Sequence, residues 1–182
     1  MTLRHSIRAL AATTLLCAIA TLVGCFVSKV PLGKVEDAKV DNKFVGDWRF
    51  PKDETTIIVR NIDGKQYYVE WHDQNKTNRT VAFITDVKGA SFAQVRPLTE
   101  DGTKADEYYI VRVAIDNGKL SLRQLDEKFF HDKNIQTSED LRKIIEANLE
   151  DPKMYDEETL LGTRAPADAK ADAKADAESP AL

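Results

Sequence analysis

Residues 109–125 read YIVRVAIDNGKLSLRQL, and this stretch decides the fold. Apolar side chains occupy every second position from Tyr109 to Ile115, and they alternate again at Leu120 and Leu122. Such alternation is typical of strands that bury one face. Asn117-Gly118, which lies between the two runs, tolerates the positive φ angles of a tight type I′ turn. The stretch therefore predicts an antiparallel β-hairpin.

The same period of two extends from this hairpin toward the N-terminus. Short apolar alternations are separated by turn signals, among them Asp63-Gly64 and Lys88-Gly89. The pattern predicts further strands over residues 44–50, 55–62, 66–72, 79–87 and 91–97. We therefore expect a mainly β protein, in which an antiparallel meander forms a small barrel.

A helix is predicted after the strands, which we expect to stop at Asp126. Thr137 and Asp140 have the spacing of a capping box at a helix start. Leu141, Ile144, Ile145 and Leu149 then recur at helical spacing. This C-terminal amphipathic helix, over about residues 137–150, is expected to lay one apolar stripe on the sheet or barrel.

The pattern divides the chain into a domain and two flanking segments. Residues 44–164 hold the barrel-like domain with its packing helix. Residues 25–43 lack periodicity and carry scattered charges, so we interpret them as a membrane tether. Residues 165–182 alternate charge with alanine and have little to bury, which predicts a disordered tail.

The first residues have the pattern of a targeting segment. Arg4 and Arg8 precede an uncharged run over residues 9–23, and this run is shorter than the roughly twenty residues that a membrane-spanning helix needs. Such a run is typical of a signal peptide, here residues 1–24. A plain secretory signal with an incidental cysteine is the alternative to the interpretation that follows.

The end of this run, Leu22-Val23-Gly24-Cys25, resembles the lipobox of bacterial lipoproteins. The resemblance implies that the Cys25 thiol is alkylated by a diacylglycerol and that cleavage makes Cys25 the first residue. Two or three acyl chains hold a protein stably on a membrane, whereas one binds only marginally. Phe26 stands where this class carries aspartate as its inner-membrane retention signal. The expected location is therefore the cell membrane or, in a Gram-negative cell, the outer membrane.

Composition narrows the range of partners. The whole chain carries 26 basic and 30 acidic residues, and loss of Arg4 and Arg8 leaves a mature net charge of about −6. An acidic chain without a basic stripe is not expected to bind nucleic acid. The only cysteines are Cys17, in the signal peptide, and Cys25. The mature protein is therefore expected to fold without a disulfide.

Gly46-Asp47-Trp48 resembles the Gly-x-Trp that opens the lipocalin barrel. More of the chain resembles a group of uncharacterised bacterial lipoproteins and envelope proteins with a lipocalin-like, calycin-type domain. The matching stretches are residues 44–48, 109–113, 119–126 and 137–149. The resemblance implies that Trp48 plugs the closed end of the barrel and that Gly46 lets the backbone approach what packs there. It implies no activity.

Few side chains suggest chemistry. Tyr68, Glu70 and His72 share one strand face, so Glu70 and His72 could pair as a base and its orienting group. We prefer the interpretation that they form a solvated outer face opposite an apolar one. His131 precedes Asp132, and the mature chain has only these two histidines and one lipidated cysteine. We assign no catalytic residues, no metal site and no cofactor.

Three classes of function remain open. The first is a binding module whose barrel holds an apolar small molecule or a lipid. The second is a structural or interaction lipoprotein, with a filled barrel and an envelope protein as its partner. The third is an enzyme, which we do not expect. A large cavity lined by apolar side chains favours the first class, and a packed interior favours the second.

The lipobox yields the first prediction. The Cys25→Ala protein should leave the membrane fraction or accumulate unprocessed, because the thiol that receives the diacylglycerol is gone. Fractionation of cells and partition into detergent measure this outcome. Normal cleavage, together with continued partition into detergent, would contradict the lipid anchor.

Overall fold

The structure, a computed structural model, describes residues 26–73, 76–100 and 102–166. Its strands, in chain order, are β1 (Val27–Ser28), β2 (Gly46–Phe50), β3 (Thr55–Asn61), β4 (Tyr67–Asp73), β5 (Lys76–Val87), β6 (Ala90–Pro97), β7 (Tyr108–Asp116), β8 (Lys119–Leu125) and β9 (Tyr155–Arg164). Helices α1 (Glu127–Phe130) and α2 (Ser138–Ala147) lie between β8 and β9.

Strands β2 to β9 close into an antiparallel barrel. From β2 to β8 each strand pairs with the next along the chain. Strand β9 pairs with β2 on one side and with β8 on the other, so the sheet has no free edge there. Strand β1 lies beside the first residues of β7. The predicted fold class is confirmed: the protein is a mainly β antiparallel meander that forms a small barrel.

The prediction that the strands stop at Asp126 is wrong, because β9 follows both helices. The inner face of β9 carries Leu160 and Gly162, which face Leu122 and Leu120 of β8. A single leucine and a glycine give no apolar alternation, so the strand has no period of two to detect. Gly162 is needed because a Cβ at this position would collide with the ring of Phe50.

The two ends of the barrel differ in their connections. At one end, which we call the closed end, tight turns join β5 to β6 and β7 to β8. Asn117 and Gly118 have φ angles of 49° and 74°, as expected for the predicted turn. At the other end, the open end, the connection from β6 to β7 alone covers residues 98–107.

The closed end is filled by Trp48. Its side chain is 0% exposed, and its indole N–H donates to the Phe44 carbonyl at 2.9 Å. The Arg164 guanidinium lies 4.6 Å from the ring centre and donates to the carbonyls of Lys43 and Val45. A Cβ on Gly46, where φ is 148°, would collide with this guanidinium. Glycine therefore lets Arg164 cover the indole.

The segment interpreted as a tether is packed on the barrel from Phe26 onward, which corrects that interpretation for residues 26–43. Leu32 is 1% exposed, and Ala38 and Phe44 are also buried. The amides of Leu32 and Gly33 donate to the side-chain oxygen of Gln94, which is itself 0% exposed. The buried residues of this segment are irregularly spaced, and the glutamine that holds two of their amides lies on a distant strand. The segment therefore shows no hydrophobic periodicity from which its burial could be predicted.

Helix α2 covers the outer face of the barrel. Thr137 and Asp140 form the predicted capping box, with the Asp140 amide 3.1 Å from the Thr137 hydroxyl. Leu141 and Ile145 are buried in one cluster with Phe92 of β6. Among the described residues, no helix is both long and apolar enough to cross a membrane.

The predicted tail is described only at its first two residues. The Ala165 amide donates to the Asp47 carbonyl at 2.8 Å, so the pairing next to β2 continues one residue past β9. Residues 167–182, together with residues 1–25, lie outside the described residues.

The packing of Trp48 yields the second prediction. Trp48→Ala should cost about 3–5 kcal/mol of unfolding free energy, because it removes a fully buried aromatic ring. Trp71→Ala, in the half-buried Trp71 of β4, should cost less. Urea unfolding of both variants, made without the predicted signal peptide and lipidation site, measures the difference. A near-native midpoint for Trp48→Ala would contradict its role as the plug of the closed end.

Candidate functional site

The candidate site is a cavity inside the barrel, and its mouth is at the open end. Its volume is about 1550 Å³, including the open mouth. The apolar side chains on this part of the inner face remain only half-buried, although they point to the barrel axis: Val69, Trp71, Ile84, Ala93, Val111 and Leu160. Apolar side chains that stay partly exposed on an inner face indicate that this part of the barrel is hollow.

The floor of the cavity is built by larger and better-buried side chains. Ile57, Val59, Tyr67 and Leu120 line it and are all below 10% exposed. The Tyr67 hydroxyl accepts from the Asp41 amide at 2.7 Å, which ties the N-terminal segment to the floor. Burial raises the pKa of Tyr67, so this hydroxyl stays protonated at neutral pH.

The rim of the mouth is acidic. Seven carboxylates line the cavity in the described part of the chain: Glu70 of β4, and six at the rim of the mouth, which are Asp53, Asp73, Glu100, Asp156, Glu157 and Glu158. The basic side chains of Lys76 and Arg79 also line it. Glu158 pairs with Lys52, and this hydrogen bond raises the pKa of Lys52. Burial, with Asp126 nearby, raises the pKa of Asp156.

Tyr68, Glu70 and His72 come together on the outer face of β4. The Tyr68 hydroxyl donates to Glu70 Oε1 at 2.6 Å, and His72 Nε2 lies 3.2 Å from Glu70 Oε2. Arg79 Nε adds a donor to Oε1 at 3.3 Å. Both oxygens of Glu70 therefore have partners, and the group is a hydrogen-bonded surface cluster rather than a base poised for a substrate.

The donors around Glu70 also shift its ionisation. The hydrogen bond from Tyr68, followed by those from His72 and Arg79, lowers the pKa of Glu70 against the opposing effect of burial. The same bond raises the pKa of the Tyr68 hydroxyl. The carboxylate is thus stabilised in its charged form.

His131 does not line the cavity. His131 Nδ1 lies 2.8 Å from Asp132 Oδ1 on the surface, and this contact raises the pKa of His131. Cys25 lies outside the described residues. Within residues 26–73, 76–100 and 102–166, no group of three or more histidine, cysteine, aspartate or glutamate side chains is placed to hold a metal ion.

The acidic rim was missed from the sequence. No sequence motif groups the carboxylates near Asp53 with those over residues 156–158. They are about a hundred positions apart, and only closure by β9 brings them to one mouth. The period of two did predict the apolar inner face, but no sequence signal tells a hollow interior from a filled one.

Comparisons with known proteins do not place the chain in a family. No family model, curated protein or solved structure matches it.

The Glu70 cluster yields a prediction about pH. Because its pKa is lowered in the folded state, Glu70 contributes stability above its ordinary pKa of 4.5 and loses it as the pH falls through the folded value. Glu70→Gln should therefore be less stable than the unmodified protein at neutral pH, with the gap closing in acid. Urea unfolding across this pH range measures the gap.

Tyr68→Phe is the companion variant, since it removes only the strongest donor to Glu70. It should show a smaller gap that closes over the same pH range. A gap for Glu70→Gln that does not change with pH would contradict the shifted ionisation.

Proposed function

We propose that this protein is a lipid-anchored protein of the bacterial envelope that binds an apolar small molecule or a lipid inside its barrel. The lipobox at residues 22–25 supports the anchor, and the resemblance to lipocalin-like lipoproteins is part of the same proposal. The role is one of binding rather than catalysis.

The hollow open half of the barrel is the observation that carries this proposal. Ligand sites are concave and mostly apolar, and they commonly measure a few hundred to about 1,000 Å³. The cavity here, at about 1550 Å³, is larger than that. An eight-stranded barrel is just wide enough either to be filled by its own side chains or to hold one small ligand. Small residues such as Ala82 and Ala93 on the inner face leave room for a ligand.

The alternative, a structural lipoprotein with a filled barrel, requires an interior packed along its full length. The part of the interior filled by Trp48 and Phe50 fits that description, since both rings are buried. The rest does not, because Val69, Ile84 and Val111 line the cavity and remain half-buried. The cavity therefore favours a bound ligand.

The charges at the rim suggest which chemical groups the ligand carries. An apolar chain fits the interior, and a polar end would lie among the carboxylates of the rim. A free carboxylate at that end would meet charges of its own sign, which disfavours binding. An uncharged, zwitterionic or amino-bearing end suits this rim better than a fatty-acid anion.

Filling the cavity should weaken binding. Ala93→Phe places a ring in the hollow half, where overpacking and lost volume should weaken binding of an uncharged naphthylamine probe by about tenfold or more. Probe fluorescence in a titration measures the affinity. Native mass spectrometry of the mature protein should also show a co-purified lipid-sized mass.

Ala114→Phe is the matched control, because Ala114 lies on the exposed outer face of β7. It makes the same change outside the cavity and should leave probe affinity unaltered. Equal affinity for all three proteins, or no probe binding by the unmodified one, would contradict a ligand-binding barrel.

A further inference from the structure

We propose that the open end of the barrel faces the bilayer, so that the cavity takes its ligand directly from the membrane lipid below it. This inference rests on the proposed lipidation of Cys25, and it gives that anchor a direction. Its evidence is the place at which the chain leaves the anchor and joins the barrel.

Phe26, the residue after Cys25, is fixed at the open end. Its amide donates to the Leu125 carbonyl at 3.0 Å, and Leu125 is the last residue of β8. Its ring stacks on Phe130 with 4.2 Å between ring centres. Phe26 is 9% exposed and is one of the residues that line the mouth of the cavity.

The next residues hold the chain in the sheet and leave no slack. Val27 and Ser28 pair with Tyr109 and Tyr108, the residues that begin β7 at the open end. Ser28 is buried, and its hydroxyl donates to the Val30 carbonyl at 2.6 Å. Consecutive Cα atoms are only about 3.8 Å apart. A lipid on Cys25 would therefore extend from the protein beside the mouth of the cavity. It would not be separated from the barrel by a flexible tether.

The two ends of the barrel are so far apart that only one of them can lie at the bilayer surface. Strand β5, with 12 residues, runs between the two ends. At about 3.3 Å per residue and a tilt of about 40°, the ends lie roughly 30 Å apart along the barrel axis. A bilayer that holds Cys25 therefore meets the open end first, while the turns of the closed end point away from it.

The surface around the mouth fits a zwitterionic bilayer. Val27 is one of the exposed large apolar side chains, at 36%, and it lies next to the anchor. The six rim carboxylates would be repelled by an anionic surface, but they can meet the ammonium groups of zwitterionic phospholipids. A phospholipid of this kind matches the ligand that the rim and the interior favour.

Two single-cysteine variants report the orientation. Lys76→Cys places a thiol at the rim, and Lys119→Cys places one at the closed end; both lysines are exposed strand ends. Each new thiol is the only reactive one, because Cys17 leaves with the signal peptide and Cys25 carries lipid. The lipidated variants are labelled with a donor dye and inserted in vesicles of phosphatidylcholine and phosphatidylethanolamine with acceptor-labelled headgroups.

Energy transfer to the bilayer should be several-fold stronger from position 76 than from position 119. A flexible Gly/Ser insertion of about twenty residues between Cys25 and Phe26 should remove this difference, because the barrel then tumbles on a tether of a few nanometres. The same insertion between Pro166 and Ala167 is the matched control and should leave the difference intact.

Equal transfer from both positions in the unmodified chain, or stronger transfer from position 119, would overturn the orientation while leaving the anchor in place. Proteins that do not stay on the vesicles would overturn the anchor of the proposed function, and the orientation with it. A strong contrast in a protein that carries no ligand by native mass spectrometry would support the orientation and count against the binding proposal alone.

Discussion

Closure by β9 is the constraint on which the rest of the structure depends. Its contact with β2 is short, since only Trp48 with Arg164 and Arg49 with Thr163 are paired in register. The Arg164 side chain reinforces this seam through the carbonyls of Lys43 and Val45. Without the contact between β9 and β2 the meander would be an open sheet with its inner face exposed to solvent. It would then enclose no cavity for a ligand.

The sizes of the inward-facing side chains then divide the enclosed space into a solid half and a hollow half. Trp48 and Phe50 fill part of the interior with large buried rings. Ala82, Ala93 and Thr80 have small side chains, which line the cavity and leave space between the strands. Burial in the packed part stabilises the barrel. The rest of the interior does not have to be filled for stability, so it can hold a ligand.

The sequence predicts the parts of this structure that depend on local pattern. The seven meander strands, the Asn117-Gly118 turn and the capping box at Thr137 all follow from spacing within a few residues. The parts that escape prediction depend on distant partners. Phe26 is buried because Leu125 and Phe130 contact it, and Leu32 is buried where its amide donates to Gln94 of β6. The rim carboxylates likewise meet only through the closure of the sheet.

The described part of the chain begins and ends at opposite ends of the barrel. Phe26 joins it at the mouth, whereas Arg164 ends β9 next to Trp48 at the other extremity. If Cys25 carries the proposed lipid, a reporter or affinity tag inserted directly after Pro166 would be displayed on the side away from the membrane, clear of the entrance to the barrel.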